Sequence, residues 1–265
     1  MTSTRNPNSI DWSDDHYAKR STDVDMIDDI MSHPFFNNII KRGVSHIATL
    51  SADSLIFEKM FAQKVKKLNT NFAFYPIERD KEVYKKLLTN NIPNLSYRSL
   101  LKVKLKDNPK CSVIFTYKPM SVIQYFDLFS MDIFDFIYLD YMGTWSTEKE
   151  KDLNTIFQHG YLMDNSFLAI TIAGARGNAI TKQKLIRAAA QVKSKVPETK
   201  IIGDPEVYFA KTTGVIASIE QIAEKYSYTA RLIKFYVYPS STFNKNGEKT
   251  NRPEYKFLFS IEKKR

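Results

Sequence analysis

Short apolar runs of strand length alternate along the chain with stretches whose apolar residues recur every three or four positions. That alternation of period is the main pointer to the fold. The clearest run is Phe134-Asp135-Phe136-Ile137-Tyr138-Leu139, apolar except for Asp135, and it stops at Asp140-Tyr141-Met142-Gly143. Such a run suits a central strand of a parallel sheet, buried on both faces. Val44 to Leu50 reads as the first strand. Leu55, Phe57, Met60, Phe61 and Val65 form one face of the helix that follows. Asn71 to Glu78 reads as a second strand ending in a carboxylate, and residues 79–90 as a helix with Val83, Leu87 and Leu88 on one side.

Leu95 to Leu105, with its interleaved lysines, reads as a short strand and a loop. Ser112 to Tyr117 is a clearer strand, and Pro119 opens a helix towards Phe129. Beyond the central run, Glu148 to His159 predicts a helix and Phe167 to Ala173 a fifth strand, broken by Gly174-Ala175-Arg176-Gly177. Ile180 to Val196 and Val215 to Tyr226 predict two more helices. Tyr228 to Tyr238 and Glu254 to Glu262 predict closing strands, joined by a loop holding the turn former Asn246-Gly247. The expected fold is α/β, a doubly wound and mostly parallel sheet with a C-terminal antiparallel strand pair. At the other end, residues 1–20 lack periodicity and read as an arm. Val24, Ile27, Ile30 and Met31 mark a short amphipathic helix from Thr22 to Phe36.

Charge adds a second picture. The net charge is +10, yet residues 1–32 hold seven aspartates against Arg5, Lys19 and Arg20. The remaining body is therefore more basic than the total suggests, which favours polyanionic partners, chiefly RNA or DNA. A solvated lysine-rich surface is the plainer alternative. The single cysteine, Cys111, excludes an intramolecular disulfide and a cysteine-rich zinc site. No apolar run reaches the ~18–20 residues of a membrane span, and Met1 to Asn8 is polar, unlike a secretory signal. A cytoplasmic protein that does not enter a membrane is expected. His16, His33, His46 and His159 have no metal-ligand spacing, so no metal is expected.

Ligands of open α/β sheets lie outside the carboxyl ends of the central strands. Asp140 stands at such an end and is the first candidate for chemistry, its alternative roles being a helix cap or a lysine partner. Glu78 ends the second strand and offers two acceptor oxygens, although a helix-start acid is also favoured by the helix dipole alone. Tyr141 and Trp145 are suited to stacking on a base, or to ordinary packing. Gly174-Ala175-Arg176-Gly177 fits neither the P-loop nor the dinucleotide fingerprint and reads as a turn.

The order of elements from about residue 40 to 262 resembles the class I S-adenosylmethionine-dependent methyltransferases. The resemblance rests on three strand ends: Leu50-Ser51-Ala52-Asp53, Tyr75-Pro76-Ile77-Glu78 and Leu139-Asp140-Tyr141-Met142-Gly143-Thr144. It implies that Ser51, Ala52 and Asp53 hold the methionine part of S-adenosylmethionine, that Glu78 holds the ribose hydroxyls, and that Asp140 borders the transferred methyl group. Asp140 and Tyr141 would then be the catalytic pair. Residues 1–39 would form an acidic arm and helix, and 40–265 a Rossmann-like domain. The last run is loosely similar to the Asp-Pro-Phe-Gly-Thr motif of guanine-N2 transfer RNA methyltransferases, with Tyr141 in place of proline. The loop after the first strand has no glycine where the family has a glycine-rich one, and no Asp/Asn-Pro-Pro-Tyr run is present. The implied function is methyl transfer to a nucleic acid. The alternatives are a methyltransferase-like module that binds nucleic acid or protein without catalysis, and another Rossmann-like enzyme.

Overall fold

The computed structural model describes residues 15–51, 54–92, 101–116, 118–128, 133–141, 143–174, 205–243 and 249–264. Helix α1 spans Asp15–Ser32 and α2 Pro34–Arg42. The stretch read as one helix is thus two. His33 ends the first and caps the second, its ring nitrogen accepting the Phe35 N–H at 3.3 Å, and Pro34 supplies a first-turn residue that needs no donor. The helix also starts earlier than expected, within the stretch read as an arm. Strand β1 is Val44–Leu50, α3 Ile56–Lys64, β2 Asn71–Ile77 and α4 Lys81–Asn91, capped by Asp80 through the N–H groups of Glu82 and Val83. Then come β3 Leu101–Leu105, β4 Asn108–Phe115, α5 Val122–Leu128, β5 Phe134–Asp140, α6 Thr147–Gln158 and β6 Leu162–Ala173. Helix α7 spans Pro205–Lys225, β7 Tyr228–Phe243 and β8 Lys249–Lys263. The helix read at 180–196 and the turn at Asn246-Gly247 lie outside the described residues.

The eight described strands form one sheet in the order β3-β4-β2-β1-β5-β6-β8-β7. From β4 to β6 neighbouring strands are parallel, while β8 runs antiparallel to both β6 and β7. The doubly wound, mostly parallel sheet with a C-terminal antiparallel pair is therefore present. One element departs from expectation: β3 and β4 form a hairpin that adds an antiparallel edge on the other side. Its lysines Lys102 and Lys104 are exposed and alternate with the half-buried Val103 and Leu105, the pattern of an edge strand protected against further pairing.

Two apolar layers cover the sheet. Helices α1 to α4 contribute Met26, Ile30, Phe36, Phe61 and Leu87 to one face, and α5 to α7 contribute Phe126, Leu153, Phe157 and Ile219 to the other. Aromatic rings pack edge-on across the first layer, Phe57 meeting Tyr138 at 4.9 Å between centroids. The buried Asp135 within β5 is satisfied locally: its carboxylate pairs with Arg42 and accepts the His46 N–H at 2.9 Å, tying α2 to the central strands. Beyond β6, Gly174 donates to the Pro253 carbonyl at 2.6 Å, and a Cβ there would stand 2.4 Å from that oxygen. Glycine permits this approach, which pins the end of β6 to β8.

Candidate active site at the strand ends

Strand β1 has β2 on one side and β5 on the other, so the direction of winding reverses at β1 and opens a crevice at its carboxyl end. In the pairing register Leu50 faces Ile77 and Thr49 faces Tyr138. Continuing each strand sets Ser51 between Glu78 and Asp140, with Thr171 of β6 beside Asp140. The three strand ends singled out in the sequence are thus neighbours in one row. Alternation along the strands puts Ser51, Glu78 and Asp140 on the face covered by α1 to α4. Tyr141 is directed to the opposite face. Ala52 and Asp53 lie outside the described residues.

Each of these side chains has a partner. Ser51 is buried, and its hydroxyl and that of Thr49, 2.8 Å apart, both reach one carboxylate oxygen of Glu58 in the first turn of α3. Burial pushes the Glu58 carboxyl above its ordinary range, and the two hydroxyls offset part of that shift. Glu78 accepts the Asp80 N–H at 2.7 Å, and its pKa is also raised, chiefly by burial. Leu55, which opens α3, has φ 51 and ψ 42, in the left-handed region that glycine enters freely. A leucine there is strained by roughly 1–2 kcal/mol; its side chain is fully buried among the residues of the α1–α4 layer, which holds it in place.

Asp140 forms an ion pair with Lys19 of α1. Burial alone would lower the Lys19 pKa, but the carboxylates of Asp140 and Asp23 more than reverse this and hold it above the ordinary lysine value. One turn further along α1, Asp23 pairs with Lys256 of β8 and accepts the Tyr138 hydroxyl at 3.0 Å. The Lys256 ammonium also donates to Thr22 at 3.1 Å and lies over the rings of Tyr138 and Tyr238, at 5.5 and 5.4 Å. Burial lowers its pKa, with Asp23 opposing the shift. The acidic helix α1 therefore packs over the carboxyl end of β5, with Lys19 and Asp23 of opposite charge meeting Asp140 and Lys256. Sequence reasoning missed Lys19, Asp23, Lys256 and Glu58. The signal was available for most of them: Lys19, Asp23, Met26, Ile27 and Ile30 share one helical stripe, as do Leu55, Glu58, Ala62 and Val65.

On the other face the Tyr141 hydroxyl donates to Asp152 of α6 at 2.8 Å, and the Lys149 ammonium lies 5.3 Å above the Tyr141 ring. Burial pushes the Asp152 carboxyl up to about 6, and the Tyr141 hydrogen bond pulls against it. Trp145 is buried, with its indole N–H on Glu150 at 3.0 Å, so its ring is core packing and is not offered to a base. Because the Asp152 pKa is raised on folding, its protonated form favours the folded state. That contribution is complete below the ordinary value of 3.8 and is lost as pH rises to about 6. Asp152→Asn removes the titration. The Tm of the variant minus that of the wild type, measured by thermal melts, is expected to increase from pH 4 to 6 and then level off. A difference that stays flat over this range would mean that Asp152 titrates normally.

Among the described residues no group of three or more His, Cys, Asp or Glu side chains is placed to hold a metal ion, and no helix is long and apolar enough to cross a membrane.

No family model and no curated protein matches the chain. Solved structures do resemble it in chain path. A SAM-dependent methyltransferase from Methanosarcina mazei is 12% identical, with a TM-score of 0.39, over 88% of this chain and 99% of that one. The YcgJ protein of a Bacillus is 10% identical, with a TM-score of 0.41, over 87% of this chain and 98% of its own. A candidate transferase from Pyrococcus horikoshii is 11% identical, with a TM-score of 0.40; the match covers 88% of this chain but 65% of that longer protein.

Proposed function

We propose that the chain is an S-adenosylmethionine-dependent methyltransferase whose acceptor is a nucleic acid. The observation that carries this reading is the single row formed by Ser51, Glu78 and Asp140 at the crevice where the winding reverses. The donor set fits such a cofactor. Glu78 is a half-buried carboxylate with acceptor capacity for two ribose hydroxyls, and Ser51 stands beside it in the row. When bound, the cofactor supplies an electrophilic methyl group on a sulfonium. The protein's part in an in-line displacement is alignment and exclusion of water. Asp140 orients the acceptor and takes up its proton, once Lys19 shares or releases the carboxylate.

A second reading is a binding module on the same fold, favoured by the strained Leu55 in a glycine-free loop and by the occupation of Asp140 by Lys19. Titration calorimetry with S-adenosylmethionine separates the two. The enzyme reading expects one site of micromolar affinity, weakened about 10- to 100-fold in Glu78→Ala, the worth of the ~1.5–3 kcal/mol of hydrogen bonds to a charged group. A folded wild-type protein that gives no heat with millimolar cofactor would leave only the module.

A further inference from the structure

A second charged feature lies at the opposite end of the sheet. Three loops meet at the amino ends of β4, β2 and β1, in the order in which those strands stand side by side. The β3–β4 turn is tied to the end of α3 by the Asn108 amide donating to the Ala62 carbonyl at 2.9 Å, and by the Lys110 ammonium on the Leu68 carbonyl at 2.9 Å. The lead-in to β2 is tied to the end of α2 by the Asn71 N–H on the Gly43 carbonyl at 2.9 Å. These loops present Lys106 and Lys110, Lys66 and Lys67, and Lys41, all exposed.

Among the described residues of these three loops, carboxylates do not balance the lysines. Asp107 is the exposed acid of the β3–β4 turn. Asp135, near the start of β5, is buried and neutralised by Arg42. Lys64 is already engaged by Asp28 of α1, whereas among the described residues no ion pair is formed by Lys41, Lys66, Lys67 or Lys106. Edge protection accounts for Lys102 and Lys104 on β3, but not for lysines on loops that belong to inner strands.

We propose that the loops at the amino ends of β4, β2 and β1 form a landing surface for the phosphodiester backbone of a nucleic acid, remote from Asp140. The proposal rests on the nucleic-acid reading above and goes beyond it by locating the contact. Lysine is a point charge suited to phosphate oxygens without base readout, so this surface anchors the chain and does not select a sequence. The two ends of the sheet are one strand length apart, roughly 23 Å for seven residues at ~3.3 Å each. At ~3.4 Å per stacked nucleotide, an acceptor touching both ends needs about seven nucleotides between the anchored and the modified positions.

The test is fluorescence anisotropy with the full-length chain and a single-stranded RNA of about 20 nucleotides, from about 50 to 200 mM salt. The variant is Lys66→Glu/Lys67→Glu/Lys106→Glu. The control, Lys81→Glu/Lys85→Glu/Lys86→Glu on the exposed side of α4, makes the same change in net charge. Circular dichroism checks that both fold. The first variant is expected to bind at least tenfold more weakly than the wild type at the lower salt concentration, and the control within about twofold. The slope of log K against log salt should shrink by about 2, from three phosphate contacts at ~0.7 each. Equal losses in the two variants would show that net charge alone attracts RNA, and would overturn the surface while leaving nucleic-acid binding intact. A wild-type protein that binds polyglutamate as well as RNA would overturn the phosphodiester assignment. A wild-type protein that binds no RNA, DNA or duplex would overturn both the surface and the nucleic-acid reading, leaving the cofactor titration to stand separately.

Discussion

Replacing Asp23 with alanine is expected to lower the unfolding free energy by about 3–5 kcal/mol, the cost of leaving a buried charge without its partner. The partner is Lys256, whose side chain is 0% exposed while that of Asp23 is 4% exposed. The ammonium keeps Thr22 and two tyrosine faces, none of which carries a compensating negative charge. For a chain of this size the fall in Tm is on the order of 10 °C. The Tyr138 hydroxyl, which donates to the same carboxylate, would retain Thr171 at 3.3 Å. The deficit should narrow as pH rises through the alkaline range below the ordinary lysine value of 10.5, since the buried ammonium deprived of Asp23 gives up its proton in the folded state at a lower pH than the paired one. Asp23→Leu/Lys256→Met is expected to recover most of the loss, because an apolar pair of similar volume replaces the ion pair at little cost. Urea denaturation of the two single variants and the double variant measures the coupling. A loss below about 1 kcal/mol in Asp23→Ala would mean that α1 is not held to the sheet by this pair.

The parts of this fold that could be read from the sequence are those where burial on both faces leaves a continuous apolar run. β1 is read to the residue, and the central run and β2 to within one residue, because parallel central strands have no polar face to blur their limits. The β3–β4 hairpin was obscured because an edge strand needs only one apolar side, and the lysines that protect it resemble a loop. Helix α1 was cut short for a related reason. Its buried stripe includes Lys19 and Asp23, which a count of apolar positions passes over, although their charges are satisfied inside the structure by Asp140 and Lys256. Polar residues buried by mutual pairing are the characteristic blind spot, since the partner lies far away in the chain: 121 positions for Lys19 and Asp140 and 233 for Asp23 and Lys256. The three strand ends singled out in the sequence nonetheless stand side by side in the sheet. A carboxylate that closes an apolar run is positioned by the sheet itself, whatever the helices above it contribute.

Asp140 is the residue on which the structural and catalytic accounts diverge most, and Asp140→Asn separates them. If the carboxylate takes the acceptor's proton, turnover should fall by about 10²- to 10⁴-fold, the range for loss of a positioned general base. Cofactor affinity by calorimetry should change little, because Glu78 and the loop after β1 are untouched. The same change leaves the Lys19 ammonium facing a neutral amide, so stability should also fall, by less than in Asp23→Ala because this pair is more exposed, at 25% and 17%. Lys19→Met resolves the overlap. In Lys19→Met/Asp140→Asn no charge is left unpaired, and the Tm should return towards that of the wild type while turnover stays low. Lys19→Met alone frees the carboxylate and should retain turnover. Formation of S-adenosylhomocysteine on the nucleic acid bound in the anisotropy experiment is the readout. If Asp140→Asn turns over within about fivefold of the wild type, a loss under ~1 kcal/mol in the barrier, then Asp140 serves only to hold α1 through Lys19. The acceptor's proton would then leave through water or another side chain of the crevice.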